Sequence, residues 1–196
     1  MIPANIKLII DLTLGDGWVG YRGQNRNNPY FICEHGAKQM QYAKYKENLF
    51  KSFGYNTYGK ELINKNITSK NFGKTSYRFY TQEHQDFSTA RKHLYNKNIK
   101  TIDKHLLRDL DAESLAFWFM DDGCAKTESY SLHKEFKYVY ERKRVNSYNI
   151  STNCFSIEEN QLIVDWLKEK FDINAVTKTY GSTPEIYIYT IVDKDK

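Results

Sequence analysis

The stretch Leu115-Ala116-Phe117-Trp118-Phe119-Met120-Asp121-Asp122-Gly123 decides the fold. Six uncharged residues run unbroken into two carboxylates and a glycine. Residues 111–122 read as one helix, with Asp111 able to cap it, Glu113 suited to its first turn and nothing inside to break it. A helix apolar on every side is expected to be buried on every side. Yet it closes on Asp121-Asp122, where the negative end of the helix dipole disfavours acids. Sequences break such local rules at functional sites. A metal cation reverses the balance, since carboxylates and end-of-helix carbonyls are both oxygen ligands.

The pattern occurs twice. Leu8-Ile9-Ile10-Asp11-Leu12-Thr13-Leu14-Gly15-Asp16-Gly17 is again a mostly apolar helix ending in Asp-Gly. Asp16 and Asp122 stand 106 positions apart (122 minus 16), about half of a chain of 196 residues. A glycine C-cap would account for either helix end alone; the recurrence at half-chain spacing points to an internal duplication.

In these two segments the chain resembles the two-motif, monomeric branch of the LAGLIDADG homing endonucleases whose second motif reads like WFMDDG. The resemblance implies two similar halves, with the motif helices side by side at their interface and the last acid of each motif holding divalent metal over DNA. Those acids correspond to Asp16 and Asp122. Two departures bear on the helix interface: Asp11 stands where the family usually has a small residue, and Phe117 is large at the matching point.

The rest of the chain repeats one order. In the first half, 1–15 is the motif helix and 17–33 reads as two strands, with turn formers from Arg22 to Pro29 between them. Residues 38–53 form an amphipathic helix with Tyr42, Tyr45, Leu49 and Phe53 at helical spacing, and 54–81 reads as further strands. Two more helices are expected at 85–98 and 103–110. In the second half, 124–153 is rich in strand, 156–171 is a helix opened by the capping box Ser156-Ile157-Glu158-Glu159, and 173–191 is again strand. That helix carries Leu162, Ile163, Trp166, Leu167 and Phe171 on one face, and it aligns with the first by setting Leu49 on Leu167 and Phe53 on Phe171. The expected fold is therefore α/β (α+β): two pseudo-symmetric halves, 1–110 and 111–196, whose motif helices are central and whose antiparallel sheets form a DNA-binding saddle. Setting Tyr80-Thr81 on Tyr189-Thr190 brings Lys196 level with Phe87, so the second repeat is expected to be shortened and to lack a counterpart of Lys100.

Composition agrees with this. A net charge of +5 suits a polyanion without requiring one. The 16 Tyr and 11 Phe favour strands. Cys33, Cys124 and Cys154 form no CxxC pair, so neither a zinc cage nor a disulfide framework is indicated, and a reducing compartment is expected: a bacterial or phage-infected cytoplasm, or an organelle matrix. No run of 18 apolar residues and no signal-peptide pattern occurs, so no membrane partner is expected.

Phosphodiester hydrolysis needs an activated water, stabilisation of the phosphorane and help for the leaving oxygen, and bound Mg²⁺ or Mn²⁺ can supply all three. Mg²⁺ keeps several waters, so one acid per motif is enough when phosphates complete its shell. The carbonyls of Gly15 and Asp121 are further candidate ligands; the Asp121 carboxylate is either a ligand or a solvated capping acid. Family resemblance adds Lys100, in Lys100-Thr101-Ile102, as a lysine at the active-site water, and Glu34, Ser151 or Asn153 as strand residues near the metals. For DNA, a two-stranded ribbon fits the major groove. The basic candidates are Arg22 and Arg26 in the first hairpin, Lys70, Lys74 and Arg78 beyond it, and Lys126, Lys134, Lys137, Arg142, Lys143 and Arg144 in the second half. The function so implied is metal-dependent, site-specific cleavage of double-stranded DNA at a long target. The alternatives are an intron-encoded maturase acting on intron RNA, and a non-cleaving or nicking DNA-binding remnant.

Overall fold

The structure, a computed structural model, describes residues 2–23, 27–132, 140–180 and 183–189, with backbone alone at 127–132, 140–144, 146, 180 and 189. The chain divides into two compact units, Met1–Asn98 and Ile99–Lys196. The expected repeat boundary at 110/111 falls inside the second unit. There the short helix α4 (Lys104–Asp109), capped by Asp103, precedes the second motif. Lys170 donates to the carbonyls of Arg108 and Leu110, and the Ile102 amide donates to Glu159 at 2.9 Å, which ties this connection to the second unit.

In the first unit, α1 (Ala4–Leu14) leads into β1 (Trp18–Gly20) and β2 (Tyr30–Gly36). A 3-10 turn (Ala37–Gln39) opens α2 (Met40–Ser52), and β3 (Thr57–Ile63) and β4 (Thr75–Thr81) complete an antiparallel sheet of order β1-β2-β4-β3. Then come α3 (Gln85–Leu94) and the short β5 (Tyr95–Asn96). The second unit begins with β6 (Ile99–Lys100) and α4, then runs α5 (Ala112–Asp122), β7 (Gly123–Leu132), β8 (Tyr140–Ser151), α6 (Ile157–Phe171), β9 (Ala175–Tyr180) and β10 (Thr183–Tyr189). Its sheet has the order β7-β8-β10-β9, the same topology as the first. The fold is thus α+β with two four-stranded antiparallel sheets, each following its own motif helix.

The glycine after each motif acid is required by close approach. A Cβ on Gly17 would lie 2.0 Å from the Leu12 carbonyl oxygen, and one on Gly123 would lie 2.3 Å from that of Phe119. Each chain leaves its helix so tightly that the strand begins against the last turn, which fixes where Asp16 and Asp122 stand.

Four sequence expectations change. Helix α5 is capped as foreseen, with a box closed by Asp111 and Ser114, but it is not buried all round: Ala116 is exposed and Met120 is 50% exposed. It is α1 that is buried from Leu8 through Leu14, Asp11 included, paired with Lys7 at 2.7 Å. The helix foreseen over 85–98 stops at Leu94, and Lys97 turns at φ 58° between β5 and β6, a backbone conformation that no right-handed helix admits. In α2 the buried residues are Ala43, Lys46, Glu47 and Phe50, while Tyr45 and Phe53 are exposed. The two amphipathic helices therefore match with Phe50, not Leu49, on Leu167, which is buried with Asn160, Ile163 and Trp166. Finally, Asn153 lies in the turn beyond β8 rather than in that strand.

The first core is an aromatic cluster: Phe31, Phe50, Phe79 and Phe87 are fully buried, with Phe50 4.7 Å from Phe31 and 6.1 Å from Phe87 between ring centres. In the second unit Trp118 packs edge-on against Phe155 at 5.8 Å, and Ile150, Ile163, Leu167 and Ile186 are fully buried with it. Among the described residues no helix is long and apolar enough to cross a membrane.

Candidate active site and nucleic-acid face

Each unit presents its motif acid at the point where helix gives way to strand. In the first, Asp16 follows Gly15, the C-cap of α1, and its side chain remains 41% exposed, so the carboxylate is accessible from solvent. Strand β2 turns a buried histidine toward it: His35 Nδ1 lies 3.4 Å from Asp16 Oδ2. Behind His35, Lys46 of α2 places Nζ 3.2 Å from His35 Nε2 and 3.9 Å from Cys33 Sγ, over the Tyr42 ring at 4.5 Å. Glu34, the neighbour of His35, points to the other face by strand alternation. It accepts from Ser76 at 2.5 Å and pairs with Arg78 at 2.5 Å. Burial pushes its carboxyl up, and these two partners outweigh that and hold it below the ordinary carboxylate value.

In the second unit, Asp121 and Asp122 are the last residues of α5 and are half-buried. Lys100, on β6, belongs to this unit, although the repeat numbering assigned it to the first half. Lys100 and Asp122 share a neighbourhood, for both act on the Cys154 thiol. Burial of that sulfur raises its pKa, Asp122 and Glu159 add to the rise, and Lys100 opposes it. Ser151 closes β8 opposite Glu185, and Asn153 is exposed in the turn after it. The oxygen donors are hard and partly open to solvent, a donor set that fits Mg²⁺ or Mn²⁺ and offers no thiolate cage.

The outer face of the first sheet is aromatic and basic. Arg22 lies over the rings of Tyr30 and Tyr80 at 4.4 and 4.3 Å, Tyr58 stacks on Tyr80 at 5.4 Å, and Trp18 meets Tyr30 edge-on. Lys70 and Lys74 are exposed in the connection after β3, with Lys74 donating to Asn71 at 3.1 Å. In the second unit Lys126 lies over the Tyr187 ring and donates to its hydroxyl. Arg142, Lys143 and Arg144 lie in β8, paired with Tyr130, Ser129 and Glu128; their side chains, and residues Arg26, Lys134 and Lys137, lie outside the described residues.

Sequence reading missed His35, Lys46 and Glu47. His35 was legible as the residue that strand alternation sets opposite Glu34. For Lys46 and Glu47 there was no local signal, because both read as the polar side of an amphipathic helix. Glu47 is held by Tyr77 at 2.5 Å, Thr57 at 2.8 Å and Lys51 at 2.9 Å. Burial pushes its carboxyl up, these hydrogen bonds hold it below the usual value, and the buried Tyr77 hydroxyl is pushed up to about 12.

Comparison with known proteins places this geometry. Cytochrome b mRNA maturase bI2 of Saccharomyces cerevisiae is 26% identical over 191 residues, covering 94% of this chain and 41% of the maturase. A probable intron-encoded endonuclease 1 of Wickerhamomyces canadensis is 27% identical over 189 residues, covering 93% of this chain and 72% of that protein. The chain thus spans less than half of the first relative and nearly three quarters of the second. Among solved structures, the homing endonuclease I-WcaI bound to its DNA recognition sequence matches with a TM-score of 0.66 at 22% identity, over 96% of this chain and 77% of that one. I-DmoI in complex with DNA and Mn matches with a TM-score of 0.54 at 9% identity, over 94% and 88%. The model of the LAGLIDADG DNA endonuclease family matches residues 6–192, and the chain belongs to that family.

Proposed function

We propose that the protein is a site-specific endonuclease of the two-motif, monomeric branch, hydrolysing both strands of a long double-stranded DNA target with divalent metal. The observation that carries this reading is the duplicated delivery of one acid, Asp16 and Asp122, by a motif helix, a tight glycine and a four-stranded antiparallel sheet of the same order. A similar protein, I-WcaI, is bound to its DNA recognition sequence, and the I-DmoI complex holds DNA and Mn, which supports DNA as substrate and metal as cofactor.

Bound Mg²⁺ or Mn²⁺ would supply the activated water and the charge neutralisation at the scissile phosphate. Asp16 and Asp122 would hold it, with the carbonyls of Gly15 and Asp121 as supplementary oxygens. Lys100, whose charge is felt by the same Cys154 thiol as that of Asp122, would stabilise the phosphorane charge. Arg22, Arg26, Lys70, Lys74, Arg78, Lys126, Lys134, Lys137, Arg142, Lys143 and Arg144 would contact phosphates or base edges. Selection from a randomised duplex library tests the whole: molecules cut with Mg²⁺ present and intact without it are expected, and a protein that cuts none in either condition removes the proposal.

Backbone binding has its own readout. Neutralising Arg142, Lys143 and Arg144 together is expected to weaken binding and to lower the log–log salt slope by about 0.9 for each phosphate that is no longer neutralised. An unchanged slope would remove this ribbon from the interface.

The second reading is a maturase acting on intron RNA, supported by likeness to maturase bI2 across 94% of the chain. It predicts that added protein restores splicing of a cognate intron transcript, and that Asp16→Asn and Asp122→Asn leave this untouched.

A further inference from the structure

Burying a lysine is costly unless its ammonium is satisfied, and lysine is among the residues least often found inside. Lys46 is nevertheless 0% exposed, and His35 beside it is 2% exposed. Packing alone does not call for a cation here. The equivalent position in the second unit shows what packing accepts. In the first sheet Trp18 pairs with Ile32, and in the second Cys124 pairs with Asn149. These pairs, two residues beyond each motif acid, superpose Ile32 on Asn149, an offset of 117 (149 minus 32). The same offset carries buried Cys33 to Ile150 and Phe50 to Leu167, so it also matches the cores. It sets His35 on Thr152 and Lys46 on Ile163. In the second unit Thr152 donates its hydroxyl to Asn160, and Ile163 is simply apolar and fully buried.

The hydrogen-bond direction in the first unit follows from the donors available. A lysine ammonium has three donors and no acceptor. His35 Nε2, 3.2 Å from Lys46 Nζ, must therefore accept. In a neutral imidazole the proton is then on Nδ1, the nitrogen that faces Asp16 Oδ2 at 3.4 Å. The run of donors is Lys46 to His35 to Asp16. In this tautomer His35 is a donor to the carboxylate and has no lone pair on Nδ1 to give a metal. At 3.4 Å the Nδ1–H faces Oδ2 of Asp16.

We propose that Lys46 is a positioning residue for Asp16, acting through the His35 imidazole, and that this support belongs to the first motif acid and not to Asp122. The inference rests on the endonuclease reading for what Asp16 does, and on the geometry alone for how Asp16 is held. Partners that orient a metal ligand typically contribute 10- to 100-fold in metal affinity or activity. The Lys46–His35 pair is replaced by Ile163 and Thr152 in the second unit, so the two DNA strands are expected to depend unequally on Lys46.

The test uses the whole chain with Lys46→Met, Lys46→Gln, His35→Leu and His35→Asn. Ring ¹⁵N shifts should show His35 as the Nδ1–H tautomer in the parent protein. Lys46→Met should shift it toward Nε2–H, and Lys46→Gln, which restores a donor, should bring it back. With each strand of a selected target end-labelled, Lys46→Met and His35→Leu should slow by 10- to 100-fold the strand whose cutting Asp16→Asn abolishes, leaving the other strand's rate as it was. His35→Asn, which keeps an N–H donor on that strand position, should recover most of the loss. Binding of Mn²⁺ alone, followed by loss of the free-ion resonance, should weaken in the same order. An Nε2–H tautomer in the parent, or unchanged strand rates and Mn²⁺ affinity in a folded Lys46→Met, overturns the proposal. If Lys46→Met does not fold, a folded His35→Leu decides: unchanged strand rates and Mn²⁺ affinity overturn the proposal, and a loss that His35→Asn recovers upholds it. If the parent cuts no duplex at all, the endonuclease reading fails, while the tautomer still decides the hydrogen-bond chain.

Discussion

Asp16→Asn and Asp122→Asn should each stop double-strand cleavage while DNA binding survives. An amide is nearly isosteric with a carboxylate, so the fold has no reason to change at Asp16, which is 41% exposed, or at the half-buried Asp122. The substitution removes the anionic oxygen that holds the cation. Metal assistance is worth several kcal/mol of transition-state stabilisation, and each 1.36 kcal/mol is tenfold in rate, so a fall of about 10³-fold or more is expected. Asp121→Asn is the internal control. Its backbone carbonyl is untouched, so a smaller effect is expected, and a fall as deep as that of Asp122→Asn would make the Asp121 carboxylate itself a ligand. The assay is the conversion of supercoiled plasmid bearing a selected target. Either substitution should arrest the reaction at open circle or earlier, and binding measured in Ca²⁺ should stay near the parent's. Normal linearisation by Asp122→Asn in Mg²⁺ would end the assignment of that acid.

The largest stability effect is expected from Phe50→Ala. Phe50 is fully buried, with Phe31, Tyr55, Phe79 and Phe87 around it at 4.7 to 6.1 Å between ring centres. Removing such a ring costs about 3–5 kcal/mol, the transfer term plus the cavity that rigid neighbours cannot fill. That is a large part of the stability of an ordinary domain. Leu49→Ala, one position away and only half-buried, should cost much less. Urea unfolding of both variants checks the pair. A larger loss in Leu49→Ala than in Phe50→Ala would mean that Leu49, not Phe50, carries the core face of α2.

That contrast shows where the sequence stops being legible. The motif helices, the Asp111 cap of α5, the capping box of α6, the duplicated order of elements and the acids at the helix ends were all readable. They depend on residues within one turn of each other: a cap and the amide it serves, a glycine and the carbonyl just behind it. The face of α2 was not readable, because helical spacing offered two stripes. One, through Tyr42, Tyr45 and Leu49, is more apolar by composition. The other, through Ala43, Lys46, Glu47 and Phe50, is the one buried. Its charged members are satisfied by partners that only the folded chain supplies: Tyr77, 30 positions from Glu47, and His35, 11 positions before Lys46 on the neighbouring strand. Likewise the sequence alone established that Asp16 ends a motif, but only the tertiary structure decided that a histidine and a buried lysine stand behind it. A local pattern records hydrophobicity. Which polar groups are desolvated depends on whether a distant strand brings them a hydrogen-bond partner, and that is settled only when the sheet has closed over the helix.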